Sequence, residues 1–308
     1  MIKDSRVIPA GPLVMGVLNL TPDSFSDGGR LSSVDAVVRQ ASRMLAQGAT
    51  VLDLGAQSTR PGATEVGPAE ELKRLLPALG ALQELRQEHP ALLLSIDTFH
   101  AAVAAAALEA GADWINDVRG ANVTAGTAGR ANAADDNRVP DCSLRDPAML
   151  PLIARAGCPY VLMHSRGTSQ TMDSLAVYGD VVSEVRAELQ TATDAALAAG
   201  VRPEQIIWDV GLGFAKNTDQ NLELLRRLPQ LMATSQDMSA TLPYPLLVGP
   251  SRKRFIGAVL EEPRPRARLW GTAAVCALAV QAGARVLRVH DVGPIAQTVR
   301  MAAAISPR

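Results

Sequence analysis

One pattern of apolar and polar residues recurs along the chain. An alanine-rich helix is followed by a glycine, a short turn and an apolar strand that ends in a polar residue. The pattern is found at 46–55, 109–118, 155–164, 198–211 and 281–290. The helix is clearest at 34–47, where apolar residues recur at helical spacing, with Ser33 as the expected N-cap and Gly48 as the expected terminator. The strands are continuous apolar runs, which is typical of a parallel sheet covered on both faces.

Three further apolar runs, at 13–19, 92–98 and 245–251, raise the number of predicted strands to eight. Eight strands alternating with helices predict an α/β fold of the TIM (β/α)8 barrel type, as a single domain over residues 1–308. An open doubly wound sheet is the alternative. It would be expected to carry a G-x-G-x-x-G turn after an early strand, and the sequence has no such motif.

Residues 121–145 interrupt this rhythm. They are rich in Ala, Asn, Asp, Gly and Thr, they show no periodicity, and they follow the fourth predicted strand. We interpret them as a long, mobile loop inserted into the barrel domain, with a functional lid as the alternative.

Composition narrows the possible functions. The 308 residues are 47% hydrophobic and carry a net charge of −1, so the chain has no overall basic field for nucleic acid. Its three cysteines show no metal-binding spacing and are expected to be buried thiols in a reducing compartment. No apolar run is long enough to span a membrane, and the N-terminus shows no signal-peptide pattern. We therefore expect a cytoplasmic protein that does not bind membranes or nucleic acid.

Each predicted strand ends in a residue capable of chemistry or recognition. These residues are Asn19, Asp53, Asp97, Asn116, His164, Asp209, Ser251 and His290. Because TIM-barrel active sites lie at the C-terminal ends of the strands, the set predicts a site there, although some members could be helix caps or turn formers. We expect a structural role for His164 and expect Asp53 to hold the loop after the first strand.

The types of residue in this ring indicate the ligand. Asp97, Asn116 and Asp209 offer acceptors suited to a flat heterocycle that carries amino and imino donors. Nearby cations predict a phosphate or carboxylate on the ligand. They are Arg60, Arg252, Lys253, Arg288 and His290. With no zinc cluster and no G-x-S-x-G turn, the site is expected to orient a substrate that carries its own leaving group.

Several motifs, in order along nearly the whole chain, resemble those of the dihydropteroate synthase family. They are MGVLNLTPDSFSDGGR at 15–30, STRPGA at 58–63, SIDTF at 95–99, INDV at 115–118, GFAKNTDQN at 213–221, GPSRKRFIG at 249–257 and RVHDV at 288–292. The first and the SRKRFIG segment are highly specific. The resemblance implies a transferase of folate biosynthesis that joins p-aminobenzoate to 6-hydroxymethyl-7,8-dihydropterin diphosphate, releasing diphosphate.

The resemblance also implies roles for individual residues. The implied pterin-binding residues are Asp97, Asn116, Asp209, Lys253, Met163 and Phe214. The residues implied for diphosphate are Asn19, Arg60, Arg288 and His290, with Asn19 also a ligand of Mg²⁺. The p-aminobenzoate pocket would be formed by Ser251, Thr59, Pro61 and Phe25. The implied catalytic residues are Asp97, Asn19, Lys253, Arg288 and His290.

The expected mechanism is cleavage of the C–O bond ahead of amine attack, with Asp97 stabilising the pterin cation. The resemblance further implies a homodimer formed through the last barrel helices and inhibition by sulfonamides, which mimic p-aminobenzoate. Two rivals are a pterin-binding methyltransferase-type barrel and a pterin-binding homologue without catalysis. Loops 20–30 and 57–67 are expected to be mobile without ligand.

Three departures from the family pattern are the insertion, Ala56-Gln57 in place of Gly-Glu, and Val210 in place of proline.

Overall fold

The computed structural model describes residues 8–9, 11–20, 33–59, 62–123, 144–232 and 244–305. Within them, eight parallel strands form a closed barrel in which each strand pairs with the next and the last pairs with the first. The strands are β1 (Leu13–Asn19), β2 (Val51–Gly55), β3 (Leu93–Asp97), β4 (Trp114–Val123), β5 (Tyr160–Arg166), β6 (Ile206–Asp209), β7 (Leu246–Val248) and β8 (Val286–Val289). The predicted TIM barrel is confirmed.

Helices cover the outside of the barrel between successive strands. They are α1 (Ser33–Ala46), α2 (Pro68–Glu88), α3 (Ala101–Glu109), α4 (Met149–Ala156), α5 (Val181–Ala198), α6 (Thr218–Arg226), α7 (Leu228–Met232), α8 (Arg254–Val259), α9 (Leu269–Gln281) and α10 (Val292–Ile305). The helix predicted at 34–47 is confirmed to within one residue at each end. Gly48, just beyond it, has a φ of +102°, which glycine adopts without strain.

The barrel interior changes from apolar to polar along the strands. Near the N-terminal ends, every strand contributes to one apolar plug, formed by Leu13, Met15, Val51, Leu93, Trp114, Val161, Ile207, Leu247 and Val286. Because side chains alternate along a strand, the residues two positions further on also face inward. They include Asp53 after Val51, Asn116 after Trp114 and Asp209 after Ile207. A polar layer therefore lies directly above the plug.

The fourth strand is longer than the sequence suggested. Residues 121–123, expected to begin the inserted loop, instead continue β4 and pair with His164, Ser165 and Arg166 of β5. The pairing shifts between Asp117 and Ala121, and this irregularity interrupted the apolar pattern in the sequence. Residues 124–143 of the predicted insertion lie outside the described residues, and residues 144–145 form a turn.

Two expectations drawn from the composition can also be compared with the structure. Cys158 and Cys276 are buried free thiols, as predicted, and Cys142 lies outside the described residues. None of the described helices is long and apolar enough to cross a membrane.

Two leucines on helix α2 differ in burial, and they allow a matched prediction. Leu79 is 0% exposed and packs between the helix and the sheet, whereas Leu76 on the same helix is 37% exposed. Replacing a buried leucine leaves a cavity, so Leu79→Ala is expected to lower the free energy of unfolding by about 2–5 kcal/mol. Leu76→Ala is expected to change it by less than about 1 kcal/mol. Urea-induced unfolding measures both, and equal losses for the two variants would contradict the packing described.

Candidate functional site

The polar end of the barrel interior borders a cavity that opens to solvent and, with the open space at its mouth, measures about 330 Å³. Its lining residues are Thr59, Asn116, Val118, Met163, Asp209, Gly211, Leu212, Phe214, Gly249, Lys253 and Arg288. Most of the residues predicted to contact the heterocycle are thus brought together around one space.

Arg288 of β8 is bound by two buried carboxylates at the base of this cavity. Its Nε donates to Oδ2 of Asp53 and its Nη2 to Oδ2 of Asp97, both at 2.6 Å. Asp53 also accepts hydrogen bonds from Oγ of Ser95 at 2.6 Å and Nδ2 of Asn116 at 3.1 Å. The expectation that Asp53 holds the loop after the first strand is therefore wrong. It points into the barrel, where it fixes Arg288 and Asn116.

The charges of this group are set by burial and by one another. Burial works to lower the pKa of Arg288, but the attraction of Asp53 and Asp97 outweighs it and holds the pKa above its ordinary value. Burial raises the pKa of Asp97 to about 7, against the opposing attraction of Arg288. Arg288 therefore remains a cation, and its hydrogen bond to Oδ2 of Asp97 favours the ionised carboxylate.

Two buried acceptors at this level have no hydrogen-bond partner among the described residues. They are Oδ1 of Asp97 and Oδ1 of Asn116, on residues that lie opposite each other in the β3–β4 pairing. An unsatisfied buried acceptor costs about 1–3 kcal/mol, so these two oxygens call for donors from a ligand. Two neighbouring acceptors match the adjacent N–H groups of an amino-substituted heterocycle.

The other side of the cavity combines a carboxylate with an apolar wall. Oδ1 of Asp209 accepts a hydrogen bond from the backbone N–H of Gly211 at 2.8 Å, and burial raises the pKa of this carboxyl. Nζ of Lys253 lies 4.2 Å from the centre of the Phe214 ring. Met163 belongs to the apolar cluster against which this ring packs. A flat ring can pack against this wall while its polar edge faces the carboxylates.

Ser251 and His290 form one part of the rim, after β7 and β8. Oγ of Ser251 lies 2.9 Å from Nδ1 of His290 and accepts the backbone N–H of the same residue at 3.1 Å. Asn19, at the end of β1, pairs in register with Gly55 and is half-buried. The predicted anion-binding residues on the described strands thus lie at the cavity or its rim.

Arg252 is the exception among the predicted cations. Its Nε and Nη2 donate to the two carboxylate oxygens of Asp291 at 2.9 and 2.6 Å, so its charge is already neutralised. Its backbone has a φ of +60°, and the buried Arg268 donates to its carbonyl oxygen at 3.0 Å. The expectation that Arg252 binds an anion is wrong, because it holds the turn that presents Ser251 and Lys253.

Three of the predicted site residues lie outside the described part of the chain. Phe25, Arg60 and Pro61 are among the residues not described. Just after them, the chain is attached to the neighbouring β5–α5 connection: Gly62 donates its N–H to the Ser169 carbonyl at 2.8 Å, and Oγ of Ser169 donates to the Ala63 carbonyl at 2.8 Å. Arg119 also pairs with Glu65. The predicted mobility of this loop stays a prediction.

His164 faces the helices rather than the cavity. It follows the inward-facing Met163, so alternation along β5 directs it outward. Its Nε2 lies 2.7 Å from Oε2 of Glu188 on α5, and its Nδ1 lies 2.9 Å from Nζ of Lys216. Burial lowers the pKa of His164 to about 4, so the ring is neutral. The geometry agrees with the structural role expected for it.

Gln57, which stands where the family pattern has glutamate, also makes its contacts away from the cavity. Nε2 of Gln57 donates to Oε2 of Glu71 on α2 at 3.1 Å, and both residues are buried. Burial raises the pKa of Glu71 to about 7. The amide therefore supplies a donor to a carboxyl group that is poorly solvated.

Sequence reasoning missed the roles of Asp53, Ser95 and Lys216. Counting alternate positions back from Asp97 would have identified Ser95 as inward-facing, and counting from Val51 would have done so for Asp53. Lys216 carried no such signal, because its partners come from a different strand and from loop carbonyl groups.

Comparison with known proteins shows extensive similarity. Residues 15–290 match the family model described as "Pterin binding enzyme". A dihydropteroate synthase from Synechocystis sp. is 45% identical over 292 residues, covering 95% of this chain and 89% of that protein. The structure of Xanthomonas albilineans dihydropteroate synthase with 4-aminobenzoic acid is similar, with a TM-score of 0.80, 38% identity and coverage of 97% and 94% of the two chains. That of the Yersinia pestis synthase with a sulfonamide drug has a TM-score of 0.79, 36% identity and coverage of 96% and 94%.

Proposed function

The chain belongs to the dihydropteroate synthases of the pterin binding enzyme family, and from this membership we propose how its barrel carries out the reaction. The reaction joins p-aminobenzoate to 6-hydroxymethyl-7,8-dihydropterin diphosphate, giving 7,8-dihydropteroate and diphosphate. The pair of unsatisfied acceptors on Asp97 and Asn116, beside the carboxylate of Asp209, carries the proposal. These oxygens would receive the amino and ring N–H groups of the pterin, whose faces would pack against Met163 and Phe214.

The diphosphate would bind on the β8 and β1 side of the cavity. There Arg288 on β8 and His290 just after it lie next to β1, the strand that ends at Asn19. Nε and Nη2 of Arg288 are already bound to carboxylates. Arg288 therefore fixes the carboxylates and contributes long-range attraction to the anion, with Lys253 as a second cation.

Cleavage of the C–O bond would leave its electron pair on the diphosphate and a positive charge on the exocyclic carbon and the pterin ring. The Asp97 carboxylate is oriented to stabilise this charge, because Arg288 fixes one of its oxygens and the other is available to the ring. The neutral aromatic amine would then form the C–N bond, and its displaced proton would pass to water or phosphate. Ser251 and Thr59, with the predicted Pro61 and Phe25, would hold p-aminobenzoate. A sulfonamide would compete for the same place.

The same membership leads us to propose Mg²⁺ as the cofactor. The described residues hold no cluster of three or more His, Cys, Asp or Glu that could bind a metal, so the protein would supply Asn19 and the diphosphate the remaining ligands. The half-buried amide of Asn19 at the barrel mouth is an oxygen donor of the kind Mg²⁺ prefers. When bound, the ion would neutralise charge on the diphosphate.

An exposed apolar surface supports the expected homodimer. It is formed by Trp270 and Leu278 on α9, which are 76% and 64% exposed, and by Met301 and Ile305 on α10, which are 62% and 68% exposed. The two helices pack against each other, and each contributes two of these exposed side chains to the apolar patch we propose. Large exposed apolar patches mark interaction surfaces. A cytoplasmic location stays a prediction.

Diphosphate release tests the reaction directly. The purified chain is expected to release diphosphate from the pterin substrate only when p-aminobenzoate is present. Asp97→Asn is expected to lower turnover on the order of 10²-fold or more, because it removes a fixed charge next to the developing cation. Methyl transfer from a methylated pterin, or pterin binding without turnover, would identify one of the two rival functions. Near-full turnover of Asp97→Asn would exclude its electrostatic role.

Metal dependence is tested by chelation. EDTA is expected to abolish turnover and added Mg²⁺ to restore it. Asn19→Ala should raise the Mg²⁺ concentration for half-maximal activity by about tenfold or more, whereas Asn19→Asp keeps an oxygen ligand and should require no more Mg²⁺ than the wild type. Turnover that is insensitive to EDTA, or an unchanged Mg²⁺ requirement in Asn19→Ala, would contradict the proposed site.

Light scattering tests the dimer. The wild-type chain is expected to have twice the mass of one chain, and Leu278→Glu to have the mass of one, because it places a charge in the apolar patch. Val177→Glu is the control, since Val177 is 68% exposed but follows β5, away from this patch. A wild-type mass of one chain would refute the homodimer.

A further inference from the structure

A buried lysine lies behind the wall of the pterin cavity. Lys216 is 6% exposed, and its Nζ has three acceptors: Nδ1 of His164 at 2.9 Å and the carbonyl oxygens of Gly211 and Phe214 at 3.1 and 2.9 Å. An ammonium group has three donors, so each N–H has one partner. The neutral His164 can supply Nδ1 as an acceptor because its Nε2–H donates to Glu188.

The two carbonyl groups belong to the loop that forms the cavity wall. Residues 211–216 carry Gly211, Leu212 and Phe214, all of which line the cavity. This backbone needs external support, because Gly211, Gly213 and Ala215 have φ values of +62°, +75° and +48°. For alanine this conformation is strained. Through its three hydrogen bonds, Lys216 links the start of the loop at Gly211, its middle at Phe214 and strand β5 at His164.

Glycine is required where this loop contacts β5. A Cβ on Gly211 would lie 1.9 Å from the carbonyl oxygen of His164, so the backbones are in close contact there. The N–H of Gly211 also binds Asp209. A shift of the loop would therefore move the Asp209 carboxylate as well as the Phe214 ring, two groups on one side of the cavity.

The ammonium group is part of a buried network with balanced charge. Beyond His164, Glu188 pairs with Arg166, which also pairs with Glu184. Two cations, Lys216 and Arg166, thus face two anions. Burial lowers the pKa of Lys216 to about 7, against the attraction of Glu188 and Asp209 and together with repulsion from Arg166 and Lys253. The third donor is therefore present below pH 7 and is lost above it.

We propose that Lys216 is a positioning residue for pterin recognition, acting by holding loop 211–216 so that Phe214 and Asp209 meet the pterin ring. It does not touch the substrate itself. This inference rests on the proposed pterin site. It assigns a role in binding to a lysine buried outside the cavity.

The test is Lys216→Met, which keeps the length and apolar character of the side chain but removes the ammonium group. The dissociation constant of oxidised 6-hydroxymethylpterin, measured by its fluorescence without p-aminobenzoate, is expected to rise by about tenfold or more, since small misplacements of binding groups have effects of this order. Lys73→Met is the matched control, because the Lys73 side chain is 80% exposed on α2, and should bind as the wild type. Lys216→Arg keeps the charge, but its planar group cannot direct three donors from one atom, so it should also weaken binding.

Three readouts separate positioning from a role in stability alone. The KM for the pterin substrate should rise more than kcat falls, and the combined effect of Lys216→Met and Phe214→Leu should be smaller than the product of their separate effects. The ratio of the two dissociation constants, variant to wild type, should fall as the pH rises through about 7, because the wild type then loses its third donor. Lower thermal stability with unchanged pterin binding by folded Lys216→Met or Lys216→Arg would overturn the proposal. A wild-type chain that binds no pterin would instead refute the proposed function.

Discussion

The pairing of Arg288 with Asp53 and Asp97 is the buried interaction on which the barrel mouth depends. Removing one member of such a group leaves an uncompensated charge, a loss of about 3–5 kcal/mol. The group fixes one oxygen of Asp97 and the amide of Asn116, and it leaves an acceptor on each without a partner among the described residues. The proposed recognition of the pterin rests on this, because one acceptor on Asp97 and one on Asn116 are left for donors from the ligand.

The alternation of side chains along the strands separates this site from the framework that supports it. Met163 and His164 are adjacent in β5, yet one contributes to the cavity wall and the other binds Glu188 and Lys216 behind it. The supporting residues are as deeply buried as those of the site. Their hydrogen bonds act on backbone carbonyl groups and on neighbouring side chains, and through these they determine where the cavity residues lie.

The sequence predicted a residue's location correctly where that location follows from the pattern of the residue's own strand. The eight apolar runs predicted the barrel, and Asp97 and Asp209 lie at the C-terminal ends of β3 and β6, as predicted. The errors concern residues whose partners are remote in sequence. Asp53 was expected to hold a loop but pairs with Arg288, 235 residues away, and Arg252 was expected to bind an anion but is neutralised by Asp291. Residues 121–123 were assigned to a loop because an irregularity in β4 broke the pattern.

The sequence by itself therefore determined the fold and the kinds of chemical group at its C-terminal face. Strand periodicity and glycine placement are local features of the sequence, and the motifs of the dihydropteroate synthase family indicate which residues are expected to take part in the reaction. Only the tertiary structure decided which of those residues are available to a ligand. That depends on the partner each charge meets once the barrel closes. Closure places β8 beside β1 and brings Arg288 against carboxylates of β2 and β3, and no local pattern in the sequence records such a contact.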